Sequence, residues 1–124
     1  IEIGYENAIA PADAILIVAT PELTSIRDAD RILKDAVGRN ISRRMLIINK
    51  VRSDLIKKGI LPGIDYMLGI LKADIIGILH YSEQIFIATN KGVPIASITH
   101  SKYYKIFEEI ASRIMGIEKP LFND

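Results

Sequence analysis

A chain of 124 residues that is 49% hydrophobic has enough apolar material for one compact core and too little length for two. Sixteen basic residues nearly balance fifteen acidic ones, and the net charge of +1 excludes the clustered basic excess that marks a nucleic-acid binder. The absence of cysteine excludes disulfides, thiolate metal sites and cysteine nucleophiles, and fits a reducing compartment.

The opening "IEIGYENAIAPAD" brings turn and helix residues ahead of any strand. Three apolar runs come next, "AILIVAT", "MLIINK" and "IIGILH", ending at Thr20, Lys50 and His80, thirty residues apart each time. They are short, rich in Ile and Val and without clean alternation, which predicts strands buried on both faces of a parallel sheet.

Between the first two runs, Ile26, Ala29, Ile32, Leu33, Ala36 and Val37 share one face of a helix that Gly38 can close. Ser25 with Asp28 reads as a capping box, and Asp28 and Asp30 suit the positive end of the helix dipole. After the turn "GILPG", Ile64, Met67, Leu68 and Leu71 mark a second amphipathic helix. Tyr103, Ile106, Phe107, Ile110, Ala111 and Ile114 mark a last one, with Gly116 as its C-cap. The order β-α-β-α-β-α at this period predicts crossover units of a three-layer α/β fold. The mean hydropathy of +0.23 is high for a small free-standing domain and predicts apolar surface that belongs against a partner.

Ligands of such sheets bind beyond the carboxyl ends of the strands, beside helix N-termini. That rule selects "TPELTS" (20–25), "NKVRS" (49–53) and "HYSEQ" (80–84) as the loops of interest. No triphosphate cradle of the G-x-x-x-x-G-K-[ST] type is present, since Gly63 and Gly69 are one residue too far apart and no Lys-Ser or Lys-Thr comes after them. Asn49-Lys50 stands where many P-loop proteins read a base. A guanine reader adds an acidic residue two places after the lysine, where this chain has Arg52, whereas the carboxamide of Asn49 matches the N6 donor and N7 acceptor of adenine. A strand-end Asn also serves as an ordinary turn residue, and both readings stand here. His80 and His100 have no metal-ligand spacing, and no G-x-S-x-G elbow occurs. Asp28 and Asp30 point to different helix faces and cannot share a proton or a metal, and Lys57-Lys58 reads as a solvated pair.

The strings "IEIGYENAIAPAD", "SIRDADRIL", "IINKVRSDLIKKG", "DIIGIL" and "IATNKGVPI", in that order, resemble the MinD family of septum-site-determining ATPases, in the ParA/MinD, deviant Walker A branch of P-loop proteins. The resemblance implies that residues 1–124 are the C-terminal part of a single P-loop domain. In the family, the segment similar to "IEIGYENAIA" comes directly after an Asp-x-Pro-Ala-Gly switch, and a Walker A loop with two lysines lies near the start. Neither string is among these residues.

The resemblance further implies that the intact protein hydrolyses ATP and binds ATP or ADP with magnesium. On the same ground this part alone is inactive, without catalytic residues, metal ligands or a cofactor of its own. Asn49 matches the family's adenine-reading Asn, and His80, Tyr81 and Ser82 match the stretch that lines the base, although the family commonly has Pro-Glu-Asp there. Glu22, Ser25, Arg27 and Asp28 match the family's dimer and partner-binding face. The partners that the resemblance implies are a second copy in an ATP-dependent homodimer, the division inhibitor MinC, a MinE-like activator and the inner membrane surface, with no specific nucleic acid. The implied location is the bacterial cytoplasm, peripheral at the inner face of the membrane in the ATP form. The family's membrane helix is basic and amphipathic, and the tail "GIEKPLFND" is neither. Alternatives are a ParA-type or flagellar-number-regulating ATPase of the same superfamily, and a non-catalytic interaction module.

Overall fold

The computed structural model describes residues 3–97 and 102–121. His100, the first two residues of the opening string and the last three of the tail lie outside them. Strands β1 (Ala14–Ala19), β2 (Arg43–Val51) and β3 (Asp74–His80) form one parallel sheet in the order β1-β2-β3. The helices are α1 (Ile3–Ile9), α2 (Leu23–Gly38), α3 (Ser53–Lys57), α4 (Ile64–Ile70), α5 (Glu83–Asn90) and α6 (Lys102–Ile114), with a 3-10 turn at Ile95–Ser97. The α/β class and its parallel sheet are as the sequence predicts.

Side chains alternate across β2, so its two faces seed two cores. Ala19, Leu46 and Ile48 pack against Ile26, Ala29 and Leu33 of α2 and against Met67 and Leu71 of the α4 segment. On the opposite face Met45, Ile47, Ile76 and Leu79 pack against Ile110, with Ile106, Phe107 and Ile114 of α6 around it. These layers are the three expected. Burial on both faces holds for β2 and fails for β1, where Leu16 is 42% and Val18 58% exposed. The cause is coverage: α6 lies over β2 and β3, and no described element reaches the outer half of that face.

A register shift between β2 and β3 explains Gly77. Leu46 pairs with Ile75 and Ile47 with Gly77, so Ile76 is an extra residue on β3. The resulting bulge turns Ile76 and Gly77 toward the same side, under α6. A Cβ at Gly77 would lie 2.6 Å from Cδ1 and 2.8 Å from Cγ1 of Ile110, so only one of the two consecutive positions has room for a side chain. The bulged carbonyl of Ile76 accepts from Nη1 of Arg113 (2.8 Å), whose other nitrogens hold the carbonyls of Lys119 and Pro120.

The helix ends differ from expectation in instructive ways. The capping box at Ser25 does not form, because α2 starts earlier, with Glu22 as its N-cap and no side-chain cap. Ser25 is then the third helical residue, and its Oγ accepts from the strand-end N–H of Thr20 (2.9 Å). Asp28 and Asp30 lie past the first turn and pair with Arg31 (3.2 Å) and Lys34 (2.9 Å) instead of complementing the dipole. Gly38 does not close the helix. Asn40 takes the left-handed conformation (φ 61), with Ile41 N–H donating to Ala36 O and Asn40 N–H to Val37 O, a Schellman motif with Asn in the usual glycine place. Gly116 (φ 88) ends α6 by the same motif, as predicted. Val37 is exposed at the rim of a groove between α2 and Ile70, and Leu68 and Ala111 are exposed rather than buried.

Helix α1 is strapped to the end of α2. Tyr5 Oη donates to Asp35 Oδ2 (2.6 Å), and Arg39 bridges Asp35 (3.0 Å) and Glu6 (2.8 Å), while Ile9 packs on Ala36 and Ile41. Burial, and then the hydrogen bond to Asp35, push the Tyr5 phenol up to about 12. The bond from Tyr5 is the main cause that lowers the Asp35 carboxyl, aided by Arg39. A phenol whose folded pKa is raised contributes stability that is full below the unfolded value and lost as pH rises through the folded one. Tyr5→Phe is therefore expected to cost about 1 kcal/mol near neutral pH. The gap between the two proteins in urea melts should close as the phenol ionises, between about pH 10, its unfolded pKa, and about pH 12. It should also narrow in acid as Asp35 protonates. A gap that is flat with pH contradicts the strap.

Candidate functional site

The carboxyl ends of β2 and β3 converge as the strand-end rule requires, although the loops are shorter than the sequence implied. β2 runs on through Val51, so Asn49 sits within the strand rather than past it, and α5 begins at Glu83 inside "HYSEQ". Ile48 pairs with Ile78 and Val51 with His80, leaving two β2 residues opposite one on β3. Lys50 absorbs this second bulge with φ 56, a left-handed conformation uncommon for a residue with a side chain. The extra residue returns Val51 to the α2 side of the sheet, where it is buried. Asn49 precedes the bulge, with its Oδ1 accepting from the Lys50 N–H (2.9 Å). That bond fixes the amide plane, so Nδ2 remains as a donor and Oδ1 keeps a second acceptor site.

Across from Asn49, the Tyr81 N–H donates to Val51 O (2.9 Å) and prolongs the strand pairing into the loop. Ser82 is the N-cap of α5: its Oγ accepts from Ile85 N–H (3.4 Å) and from the phenol of Tyr103 on α6 (2.6 Å). With two bonds accepted, the serine's own proton is available to a ligand.

Asn49, His80, Tyr81 and Ser82 all line one cavity of about 400 Å³. This volume is within the range of small-molecule sites and ample for a nucleobase. The structure thus brings together the four residues selected as base-contacting. The cavity's other wall, Phe86, Thr89 and Asn90, was missed in the sequence. Their spacing of i, i+3 and i+4 is one face of a helix, a signal available once residues 83–90 are read as helical rather than as loop. The wall is apolar at Ile85 and Phe86 and polar at Thr89 and Asn90.

A larger cavity, about 680 Å³, lies at the opposite end of the sheet beside Asp74, Arg113 and Lys119. Its main cation, Arg113, is already bonded to three carbonyls, so the smaller cavity is the better ligand site. Glu22, Arg27 and Asp28 are each exposed near the start of α2, while Ser25 is turned inward to Thr20. Among the described residues no group of three His, Cys, Asp or Glu is placed to hold a metal, and no helix is long and apolar enough to cross a membrane.

No family model matches the chain. It is 40% identical over 126 aligned residues to the septum site-determining protein MinD of Thermotoga maritima, covering 100% of this chain and 46% of that protein. The MinD of Bacillus subtilis is 37% identical, over 98% of this chain and 46% of its own length. Among solved structures, the MinD cell division protein of Aquifex aeolicus superimposes with a TM-score of 0.87 at 34% identity, covering 98% of this chain and 52% of that one. A MinC:MinD complex from the same organism gives 0.88 over 99% of this chain. The chain spans about half the length of the relatives it matches.

Proposed function

We propose that this chain, which belongs to the MinD family of septum site-determining proteins, is the C-terminal part of a P-loop ATPase and supplies its adenine-reading cavity. The observation that carries the reading is the convergence of Asn49 with residues 80–82 on one base-sized cavity at the carboxyl ends of the strands. Asn49 reads the Hoogsteen edge of adenine, its Oδ1 accepting from N6 and its Nδ2 donating to N7. Ser82 offers a hydroxyl proton to a ring nitrogen, and Phe86 and Tyr81 give the ring apolar surface. Triphosphate contacts, magnesium binding and hydrolysis belong on this reading to residues outside the chain, because no phosphate cradle is within it.

The wider role is that of the family. The intact protein dimerises with ATP, associates with the inner face of the bacterial membrane and recruits a division inhibitor, under an activator of hydrolysis. The solved MinC:MinD complex to which the chain is similar supports an inhibitor as partner. The exposed residues Glu22, Arg27 and Asp28 are assigned to contacts with the second copy or with the inhibitor. The near-neutral charge and the MinD identities favour this role over a DNA-partitioning relative.

The test is nucleotide binding by the full-length protein that carries this chain. ATP with magnesium should bind and GTP should not compete, and Asn49→Ala should weaken ATP about tenfold, the equivalent of one or two hydrogen bonds. Failure of the wild-type protein to bind ATP, or equal affinity for GTP, overturns the reading.

A further inference from the structure

Arg52 is not part of the cavity wall, yet it holds a residue that is. Its guanidinium lies over the ring of Tyr81, 5.1 Å from the centroid. Nε and Nη2 donate to the two oxygens of Asp54 at 3.1 and 2.9 Å, a bidentate pair that leaves the guanidinium plane little freedom. The Asp54 bonds raise the Arg52 pKa further and lower that of Asp54, so both charges persist across the physiological range. The backbone of Tyr81 is fixed at the same point by its bond to Val51 O, next to Arg52 in sequence. Main chain and ring of Tyr81 are thus both anchored to the end of β2. The ring itself is half exposed and borders the cavity.

A cation on one face of an aromatic ring leaves the rest of the ring to a ligand, and a ring already immobilised loses less freedom when it stacks. We propose that Arg52 is a positioning residue: braced by Asp54, it pins Tyr81 as the stacking wall of the base site. The inference rests on the nucleotide reading above and adds a device to it. The arginine stands where a guanine reader has a carboxylate, so the same position serves a different end here.

The experiment compares ATP with inorganic tripolyphosphate, which carries the charge without the base, as ligands of the full-length protein and its variants. Tyr81→Ala should weaken ATP roughly tenfold, the order of one lost base-stacking contact, with tripolyphosphate unchanged. Arg52→Gln should weaken ATP by about three- to tenfold, again with tripolyphosphate unchanged, and the double variant should be no worse than Tyr81→Ala alone. Tyr81→Phe should bind as the wild type, and Arg52→Lys, which keeps the charge and loses the planar fork, should be intermediate. If Arg52→Gln binds ATP normally, or weakens both ligands equally, the inference falls while the nucleotide reading stands. If the wild-type protein binds no ATP, both fall together.

Discussion

Gly77→Val is expected to destabilise the chain by about 3 kcal/mol or more, which is large for a single added side chain. Even the first carbon of that side chain would start 2.6 Å from Ile110 Cδ1 and 2.8 Å from its Cγ1, both in the packed interface between β3 and α6. Removing a glycine from a strand normally helps, by roughly 0.5–1 kcal/mol of backbone entropy, so overpacking opposes a favourable term and outweighs it. Ile110 is buried and has no solvent to turn into, so the added atoms press on the packed seam between β3 and α6. The consequence reaches the candidate site, because Tyr103 at the start of α6 bonds Ser82. Urea melts give the magnitude. Combining Gly77→Ala with Ile110→Val, which removes the Cδ1 methyl, should recover part of the loss seen for Gly77→Ala alone. Additive costs in that pair would show that the contact is not the cause.

How much of this was legible in the sequence depended on how each feature is encoded. The strands announced themselves as Ile- and Val-rich runs at a fixed interval, and α2 and α6 by apolar residues at helical spacing, because burial of one face imposes that spacing. Helix α5 was not legible in the same way. Ile85, Phe86, Ile87 and Ala88 are four consecutive apolar residues, so no face stands out, and two of them remain largely exposed. Helix α3 is a five-residue turn without buried residues, below the length at which periodicity says anything. The bulges were invisible as such, since they are agreements between two strands rather than properties of either. Gly77 in the middle of "IIGIL" was their one trace. The loops that hold Asn49 and residues 80–82 were selected by the strand-end rule, which depends on topology the sequence carried, and their assignment to a base came from the family resemblance. Phe86, Thr89 and Asn90 were missed because finding them required α5. The capping box at Ser25 misled because a helix start is decided by whichever residue first finds a partner, and Ser25 found Thr20.

The two faces of the sheet make opposite demands on the same kind of substitution. Leu46 is fully buried at the centre of β2, between Ile15–Ile17 on one side and Ile75 on the other, under α2 and α4. Leu46→Ala should cost about 2–5 kcal/mol, the lost transfer free energy plus the cavity left behind, because neighbours from four elements cannot all collapse into the gap. Val18 lies 58% exposed on the opposite face of β1, and in the 124-residue chain Val18→Ala should stay within about 0.5 kcal/mol. The reading of the chain as part of a longer ATPase makes a further demand on Val18. On that reading the outer face of β1 would be covered in the full-length protein, and there Val18→Ala should cost about 2 kcal/mol through the loss of two buried methyl groups. The pair of measurements on Val18, with Leu46→Ala costly in both settings as the control, separates two explanations of the bare strand. A small cost in both settings would mean that nothing covers β1. A cost that appears only in the longer protein would locate the seam between this chain and its other half at Leu16 and Val18.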